Sequence, residues 1–349
     1  MAKPVRRSSR GFASRLLRAA SALGVVPSVF ASLPAAAEPA QPPRVKVTVE
    51  VPATGWQWLL HIESSDSVPL RVVGDARLLS LDITAPAPTK GHAATVHCSL
   101  PPEMRPSTDE ERIQIVPPNL VYTETFDPRL YCFETQKVRA LQAGAIVVAH
   151  FGFAPGHARR ATPPFVVAPA DEEPGRGASK EIVSEPFTLP ESLPTPDDPH
   201  GDSPPYDART SPLTVSTPSR IDVATFRDIT LPITVANPTP RAVTLLLRPE
   251  TVAIDATGPS GTTRCQWLII PSPIAELFTT LPPKGRASTE VLVSALCPAS
   301  FFDRSGLYEL RAAIDTRRAS GASIGLRTFD GQVWSPSTTL VRIRTVGAR

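Results

Sequence analysis

The segments WLLHIESSDSVPLRVVGDARLLSLD (58–82) and LPITVANPTPRAVTLLLRPETVAID (231–255) align without a gap at an offset of 173 residues. Each reads as a strand, a polar or proline-containing turn, and then a pair of apolar strands that ends in Leu81-Asp82 or Ile254-Asp255. Similarity at a fixed offset is typical of an internal repeat. The alignment therefore predicts that one structural unit occurs twice in the chain.

Further landmarks follow in the same order in both halves. They are a Pro-Pro pair, a cysteine 14 residues after it, a glycine that precedes a strand, and a final strand that contains serine: Pro117-Pro118 and Pro282-Pro283, Cys132 and Cys297, AGAIVVAHF (143–151) and SGLYELRAA (305–313), VSEPFTL (183–189) and WSPSTTL (334–340). The offset falls from 173 to 151, which places the insertions in the first half. Two unrelated β domains with the same turn chemistry are the alternative to a tandem duplication.

The strand prediction depends on alternation with a period of two. Apolar side chains share one face of two segments: Tyr308, Leu310, Ala312 and Ile314 in the first, Trp56, Trp58, Leu60 and Ile62 in the second. Short strands punctuated by proline, glycine and aspartate favour an antiparallel sandwich over a parallel α/β sheet. Few stretches favour a helix; residues 133–144 are one, with room for about two turns.

Composition excludes several classes of protein. The 349 residues include 41 prolines, which disfavours an all-α fold, while 41% hydrophobic residues still allow packed cores. The formal charge of +3 gives no reason to expect nucleic acid as a partner.

Each half resembles an immunoglobulin-like or fibronectin-type-III-like module. The resemblance covers about 43–190 and 214–346, and it depends on the Pro-Pro turn before a strand, the Gly-x-Tyr-x-Leu strand at 306–310 and the serine in the final strand. The Cys…Trp…Cys spacing of antibody domains is not reproduced. The whole chain is similar to exported proteins of high-GC bacteria, a similarity that implies no activity. We therefore expect an all-β protein of two tandem antiparallel β-sandwich domains.

Both ends of the first domain are marked by composition. Residues 1–18 carry six basic residues and no acid, and 19–37 carry no charge, which predicts a secretory signal peptide cleaved after Ala37. An organelle transit peptide and a basic tail are the alternatives. Residues 191–213 are rich in proline and carry a net charge of −4, which predicts an acidic, semi-rigid linker. The mature chain is then secreted or periplasmic, with no membrane span after removal of the signal.

The four cysteines allow three pairings, and the duplication selects Cys98 with Cys132 and Cys265 with Cys297. Two equivalent cysteines per half in an exported chain favour disulfides. Free buried thiols are one alternative. A metal site near His92 and His97 is another, although the second half has arginine beside its first cysteine and no histidine.

A catalytic constellation is not found in the sequence, and no catalytic, cofactor-binding or metal-ligating residue is assigned. GASIG (321–325) places Ser323 in a Gly-x-Ser-x-Gly pattern, but no histidine follows it and no helix is predicted after it. All histidines precede the second half: 61, 92, 97, 150, 157 and 200. Trp56 and Trp58 are expected in the core, and Trp267 against the second disulfide.

The sequence therefore predicts a non-catalytic exported protein with a structural or protein-interaction role. Its partner is an unknown protein or envelope component, and no cofactor is expected. A ligand- or glycan-binding or protease-inhibitory module acting through loops 84–97 and 152–164 is the alternative. An enzyme centred on the histidines of the first half is a third hypothesis.

Overall fold

The computed structural model describes residues 43–86, 94–106, 112–153, 164–171, 177–191, 193, 211–268 and 274–345. All of them belong to one compact unit. The predicted signal peptide, most of the predicted linker and the terminal residues 346–349 lie outside the described residues. So do His92, His157 and His200.

The first half of the chain forms three small antiparallel sheets, which we call the first module. The sheets have the orders β1-β2-β7, β10-β8-β4-β5 with β11 also paired to β8, and β6-β3-β9. The strands are β1 (Val45–Glu50), β2 (Trp58–Ser64), β3 (Leu70–Val73), β4 (Leu79–Thr84), β5 (Thr95–Ser99), β6 (Ile113–Val116), β7 (Val121–Phe126), β8 (Ile146–Gly152), β9 (Val167–Pro169), β10 (Glu181–Val183) and β11 (Phe187–Thr188). Two short helices, α1 (Pro128–Tyr131) and α2 (Thr135–Ala140), lie between β7 and β8.

The second half, which we call the second module, repeats this arrangement with a larger main sheet. The orders are β12-β14-β19, β15-β18, and β13-β22-β20-β16-β17 with β21 also paired to β20. The strands are β12 (Thr214–Ser216), β13 (Arg220–Val223), β14 (Thr230–Ala236), β15 (Val243–Leu246), β16 (Val252–Gly258), β17 (Gly261–Gln266), β18 (Phe278–Leu281), β19 (Arg286–Leu292), β20 (Gly306–Asp315), β21 (Gln332–Trp334) and β22 (Thr339–Ile343). One short helix, α3 (Val293–Leu296), follows β19. Strand β13 is the exception to antiparallel pairing, since it runs parallel to β22.

The strand registers of the two modules match at the positions that the gap-free alignment predicts. Residues related by the alignment have equivalent cross-strand partners: Leu81 with Cys98 and Ile254 with Cys265, Leu70 with Val116 and Val243 with Leu281, Trp58 with Phe126 and Leu231 with Val291, Leu81 with Ala149 and Ile254 with Ala312. Register in a sheet is specified by which face is buried. Positions with equivalent partners are called equivalent below.

The glycine-based alignment of β8 with β20 is wrong by one residue. It pairs Gly144 with Gly306, whereas the registers make Ala149 equivalent to Ala312 and therefore Val147 equivalent to Leu310. Val147 and Leu310 are both fully buried. Successive side chains of a strand point to opposite faces. The glycine alignment therefore makes buried Val147 correspond to charged Glu309, which lies on the outer face.

A serine interrupts the last strand of each module in the same way. The backbone N–H of Ala149 donates to Ser184 Oγ (2.8 Å), and that of Ala312 donates to Ser335 Oγ (3.3 Å). Each serine N–H in turn donates to the carbonyl of the same alanine. The hydroxyl thus satisfies a buried backbone group where the strand breaks between β10 and β11 or between β21 and β22.

Each module has its own apolar core. One cluster runs from Val47 to Leu189 and the other from Leu213 to Ile343. The predicted inward faces are buried, with Leu60, Ile62 and Trp58 in one core and Tyr308, Leu310, Ala312 and Ile314 in the other. The chain is an all-β protein of two antiparallel β-sandwiches. Among the described residues, no helix has the length and apolar character needed to cross a membrane.

Candidate interaction surfaces

Both predicted disulfides are present. Cys98 is bonded to Cys132, and Cys265 is bonded to Cys297. Each joins β5 or β17 to the end of a short helix, so each fixes the segment between β7 and β8 or between β19 and β20. In the first module this segment, residues 127–134, is called the docking segment below.

The docking segment has a shape that its sequence explains. Asp127 caps α1 by accepting from the backbone N–H of Arg129 (2.9 Å), and Pro128 occupies the first helical position. The helix ends at Cys132, whose disulfide holds it against β5. Asp127 and Arg129 also form an ion pair of 2.7 Å.

The docking segment lies against the outer face of the main sheet of the second module. Arg129 Nη2 is 2.7 Å from Glu309 Oε1 on β20. Burial raises the pKa of Asp127, and the hydrogen bonds from Arg129 only partly offset this. Burial alone would lower the pKa of Arg129, but the hydrogen bonds and charges of Asp127 and Glu309 outweigh it and raise that pKa. One guanidinium therefore serves two carboxylates in a largely desolvated site.

Arginines of the second module complete the contact through backbone carbonyls. Arg342 donates to the carbonyl of Leu130 (3.2 Å), and Arg220 donates to that of Phe133 (3.1 Å). The Arg342 guanidinium also lies 4.5 Å from the centre of the Phe133 ring. These contacts bind the main chain of the docking segment, so they require its fold as well as its residue types.

Asp222 on β13 orients Arg342 and its neighbour Arg344. It accepts from Arg342 Nη2 (2.6 Å) and from Arg344 Nη2 (2.9 Å). Burial would raise the pKa of Asp222, but the hydrogen bonds from Arg344 and Arg342 outweigh it and lower that pKa. Arg344 reaches back to Glu103 of the first module at 3.5 Å.

Two clefts flank the contact between the modules. The larger, of about 560 Å³, is lined by four arginines and four carboxylates as well as apolar side chains: Arg77, Arg112, Arg129 and Arg304, and Asp75, Glu124, Asp127 and Glu309. The smaller, of about 300 Å³, lies near Glu103, Phe133 and Arg342. The four positive and four negative side chains of the larger cleft sum to no net charge.

Two of the histidines meet on the outer face of β4, β5 and β8. His97 Nδ1 is 2.7 Å from Asp82 Oδ1, and His150 Nε2 is 3.2 Å from Asp82 Oδ2. His150 Nδ1 is 3.4 Å from Glu181. Within the described ranges, however, no group of three or more His, Cys, Asp or Glu side chains has a geometry that holds a metal ion. His61 lies apart, on β2, beside Thr123 and Glu50.

The equivalent outer face in the second module has arginine at the position of His97 and alanine, Ala313, at the position of His150. Asp255 is equivalent to Asp82, and its neighbour Arg264, equivalent to His97, lies 3.1 Å away. Arg264 and Arg311 stack on Trp334 at 5.0 and 5.5 Å from the ring centre. Trp334 is buried by this stacking, whereas the equivalent Val183 is 50% exposed.

The tryptophans only partly follow the sequence prediction. Trp58 is fully buried and packs edge-on against Phe126, as expected. Trp56 is not in the core, because β2 begins at Trp58 after a turn at Gly55 (φ 71°), and the Trp56 ring lies under Arg129 at 5.1 Å. Trp267 is beyond the end of β17 and 37% exposed, and its packing against the second disulfide stays a prediction.

Ser323 lies in a one-turn 3-10 helix, Gly321–Ile324, that ends at left-handed Gly325. A strand-to-helix elbow, which a Gly-x-Ser-x-Gly nucleophile requires, is therefore not formed there. The loops 84–97 and 152–164 are described only at their ends.

Sequence reasoning missed the contact between the modules. Arg129, Glu309 and Arg342 have no motif, and each reads as an ordinary surface charge. A usable signal is the difference between equivalent positions, since Asp127 corresponds to Leu292 and Glu309 to Ile146.

No protein-family model matches this chain, and no curated protein matches it. Among solved structures, a transglutaminase of red sea bream is similar at 12% identity and a TM-score of 0.19. The match covers 86% of this chain and 31% of the transglutaminase, so the chain spans less than a third of that protein. A TM-score at this level supports no conclusion about fold or activity.

Proposed function

We propose that the chain is a non-catalytic exported protein whose two immunoglobulin-like modules form one rigid body for structural or protein–protein contact. The observation that carries this is the contact between the modules. Arg129, Glu309 and Arg342 join the docking segment to the second module through ion pairs and main-chain hydrogen bonds. A charged, partly buried contact of this kind fixes orientation more than it adds stability.

Export is part of the proposal. The basic start and uncharged stretch of residues 1–37 support a signal peptide, and two buried disulfides suit an oxidising compartment outside the cytoplasm. The domain limits 43–190 and 214–346, with an acidic linker at 191–213, complete the proposed organisation, in which the two sandwiches arose by duplication.

The outer face of the first module is the proposed contact surface for a protein partner. Ile146 on β8 is 48% exposed and Val183 on β10 is 50% exposed, and both point away from the core because their neighbours Val147 and Ile182 are buried. Half-buried Val148 lies on the same face between Ile146 and His150, the residue paired with Val183. A contiguous exposed apolar patch is typical of protein interaction sites.

Site-specific crosslinking in the native cell envelope tests this function. A photo-crosslinking amino acid at position 146 is expected to form protein adducts. The same group at Ile324, an apolar residue of similar exposure (40%) in the Gly321–Ile324 turn, is the matched control and is expected to form none. A glycan array and a protease panel are expected to be blank.

The alternative function makes the opposite prediction. If residue 146 forms no adduct while the chain binds a glycan or inhibits a protease, the loops 84–97 and 152–164 are the functional surface and the proposal is wrong.

A further inference from the structure

The contact inside the chain joins two different surfaces. The docking segment of the first module meets the outer face of β20 and β22 in the second module. The registers make β8 of the first module equivalent to β20, and the segment after β19 equivalent to the docking segment, so each module has a surface of both kinds. Among the described residues, β13 and its arginine contacts occur only in the second module. One surface of each kind is consequently left open: the outer face of the first module, and the segment after β19 in the second, residues 292–299, which we call the free segment.

The two open surfaces differ from the two surfaces that meet inside the chain, called the closed surfaces, at the positions that form the ion pairs. Glu309, which receives Arg129, is equivalent to Ile146, which is 48% exposed. Asp127, which holds Arg129, is equivalent to Leu292, which is 47% exposed. Arg129 itself is equivalent to Ser294. A charged set on the closed surfaces therefore corresponds to an apolar pair on the open ones.

The replacement of charged by apolar residues occurs on both open surfaces, so the two surfaces remain complementary to each other. An apolar residue on only one of the two surfaces would face a charge if the modules met in the same way, and burying an unpaired charge is costly. At these two positions both residues are apolar, so the free segment of one molecule suits the part of the outer face around Ile146 in another. The rest of the free segment would bury no charged side chain in this contact, since residues 293–299 are uncharged.

We infer that a second copy of this chain is the partner, and that its free segment docks on the outer face of the first module as the docking segment does on the second. This inference rests on the proposed function and names the partner of its contact surface. The contact is head-to-tail, so the same step repeats and builds an open linear assembly.

The test uses the mature chain and measures mass against concentration by light scattering and sedimentation. Wild-type protein is expected to grow beyond one chain as concentration rises. Ile146→Asp and Leu292→Asp are each expected to weaken self-association at least about tenfold, because a carboxylate is then buried without a partner. Ile324→Asp is the control and is expected to assemble like wild type, since Ile324 follows the opposite end of β20.

Mixing the two blocked variants distinguishes head-to-tail contact from a symmetric dimer. In the mixture, the intact free segment of the Ile146→Asp variant binds the intact outer face of the Leu292→Asp variant. The other two surfaces are blocked, so a 1:1 dimer that grows no further is expected. Ile146→Lys and Leu292→Lys repeat the experiment with the opposite charge. Circular dichroism confirms that each variant is folded.

The inference is overturned if wild type is monomeric at all concentrations, if either variant assembles normally, or if the mixture forms no dimer. Crosslinking at residue 146 separates the two proposals. Adducts with a different protein from a chain that is monomeric would leave the proposed function standing and remove this inference, whereas no protein adduct at all would remove both.

Discussion

Arg129 in the first module and Glu309 in the second lie 2.7 Å apart, with only 13% and 15% of their side chains exposed. The same guanidinium is 2.7 Å from Asp127. A single arginine thus neutralises two carboxylates at the place where the modules touch. This relationship holds the two sandwiches in one orientation, and the rigid scaffold that we propose depends on it.

Replacing Arg129 by alanine should separate the modules. The change leaves Asp127 and Glu309 close together without a counter-charge, and removal of one partner from a buried pair costs about 3 kcal/mol. We expect a loss of that order in the free energy of unfolding, measured in urea, and a larger radius of gyration by X-ray scattering. Arg227→Ala, which removes an exposed arginine, should change neither quantity. An unchanged radius in Arg129→Ala would contradict the role given to this residue.

Acid should weaken the second module through Asp222. Its pKa is lowered in the folded chain by Arg344 and Arg342 acting against burial, so the ionised form is stabilised by folding. The stability that it contributes is present above the unfolded value of about 3.9 and is lost as pH falls below it toward the folded value.

Comparison with Asp222→Asn isolates this contribution. The difference in unfolding free energy between wild type and Asp222→Asn should be constant from pH 7 to about pH 5 and should shrink below about pH 4. Chemical denaturation at each pH measures it. A difference that stays the same down to pH 3 would exclude the ion pairs as its source.

The serine that interrupts each final strand should matter more than its exposed neighbours. Ser184→Ala and Ser335→Ala each remove the acceptor of a buried backbone N–H. We expect a loss of about 1–2 kcal/mol in thermal or urea unfolding for each variant. Ser337→Ala is the matched control, because Ser337 is exposed and its backbone carbonyl, which accepts from Ser335, is retained. Equal effects of all three changes would argue against the proposed role of the hydroxyl.

Intact mass of protein exported by a bacterial host tests the leader and the disulfides together. We expect loss of residues 1–37 and, after denaturation and reduction, a mass gain of four hydrogen atoms, two for each disulfide. A Cys98→Ser, Cys132→Ser variant should gain only two. Its free energy of unfolding should also be lower by about 3 kcal/mol, since the missing disulfide closes a loop of 34 residues. Retention of the leader, or a wild-type mass unchanged by reductant, would contradict the prediction.

The sequence pattern was sufficient to predict strands and turns where residues close in the chain determine the structure. The gap-free block predicted β2, β3 and β4 and their equivalents β14, β15 and β16, because alternation and turn residues act over a few positions. It also paired the cysteines correctly, since equivalent strands bring equivalent residues together. Pattern reasoning failed at Trp56, where a turn at Gly55 starts the strand later than alternation suggests, and in β8, where matched glycines did not mark matched faces.

The amino-acid sequence by itself determined the two sandwiches, their registers in the gap-free block and their disulfides. These follow from hydrophobic alternation and from repetition, both of which are written along the chain. Only the tertiary structure decided that Arg129 meets Glu309 and that Ile146 and Leu292 remain open. The sequence does not show which charged residues far apart in the chain form pairs. That depends on which side chains are desolvated when two folded modules pack against each other.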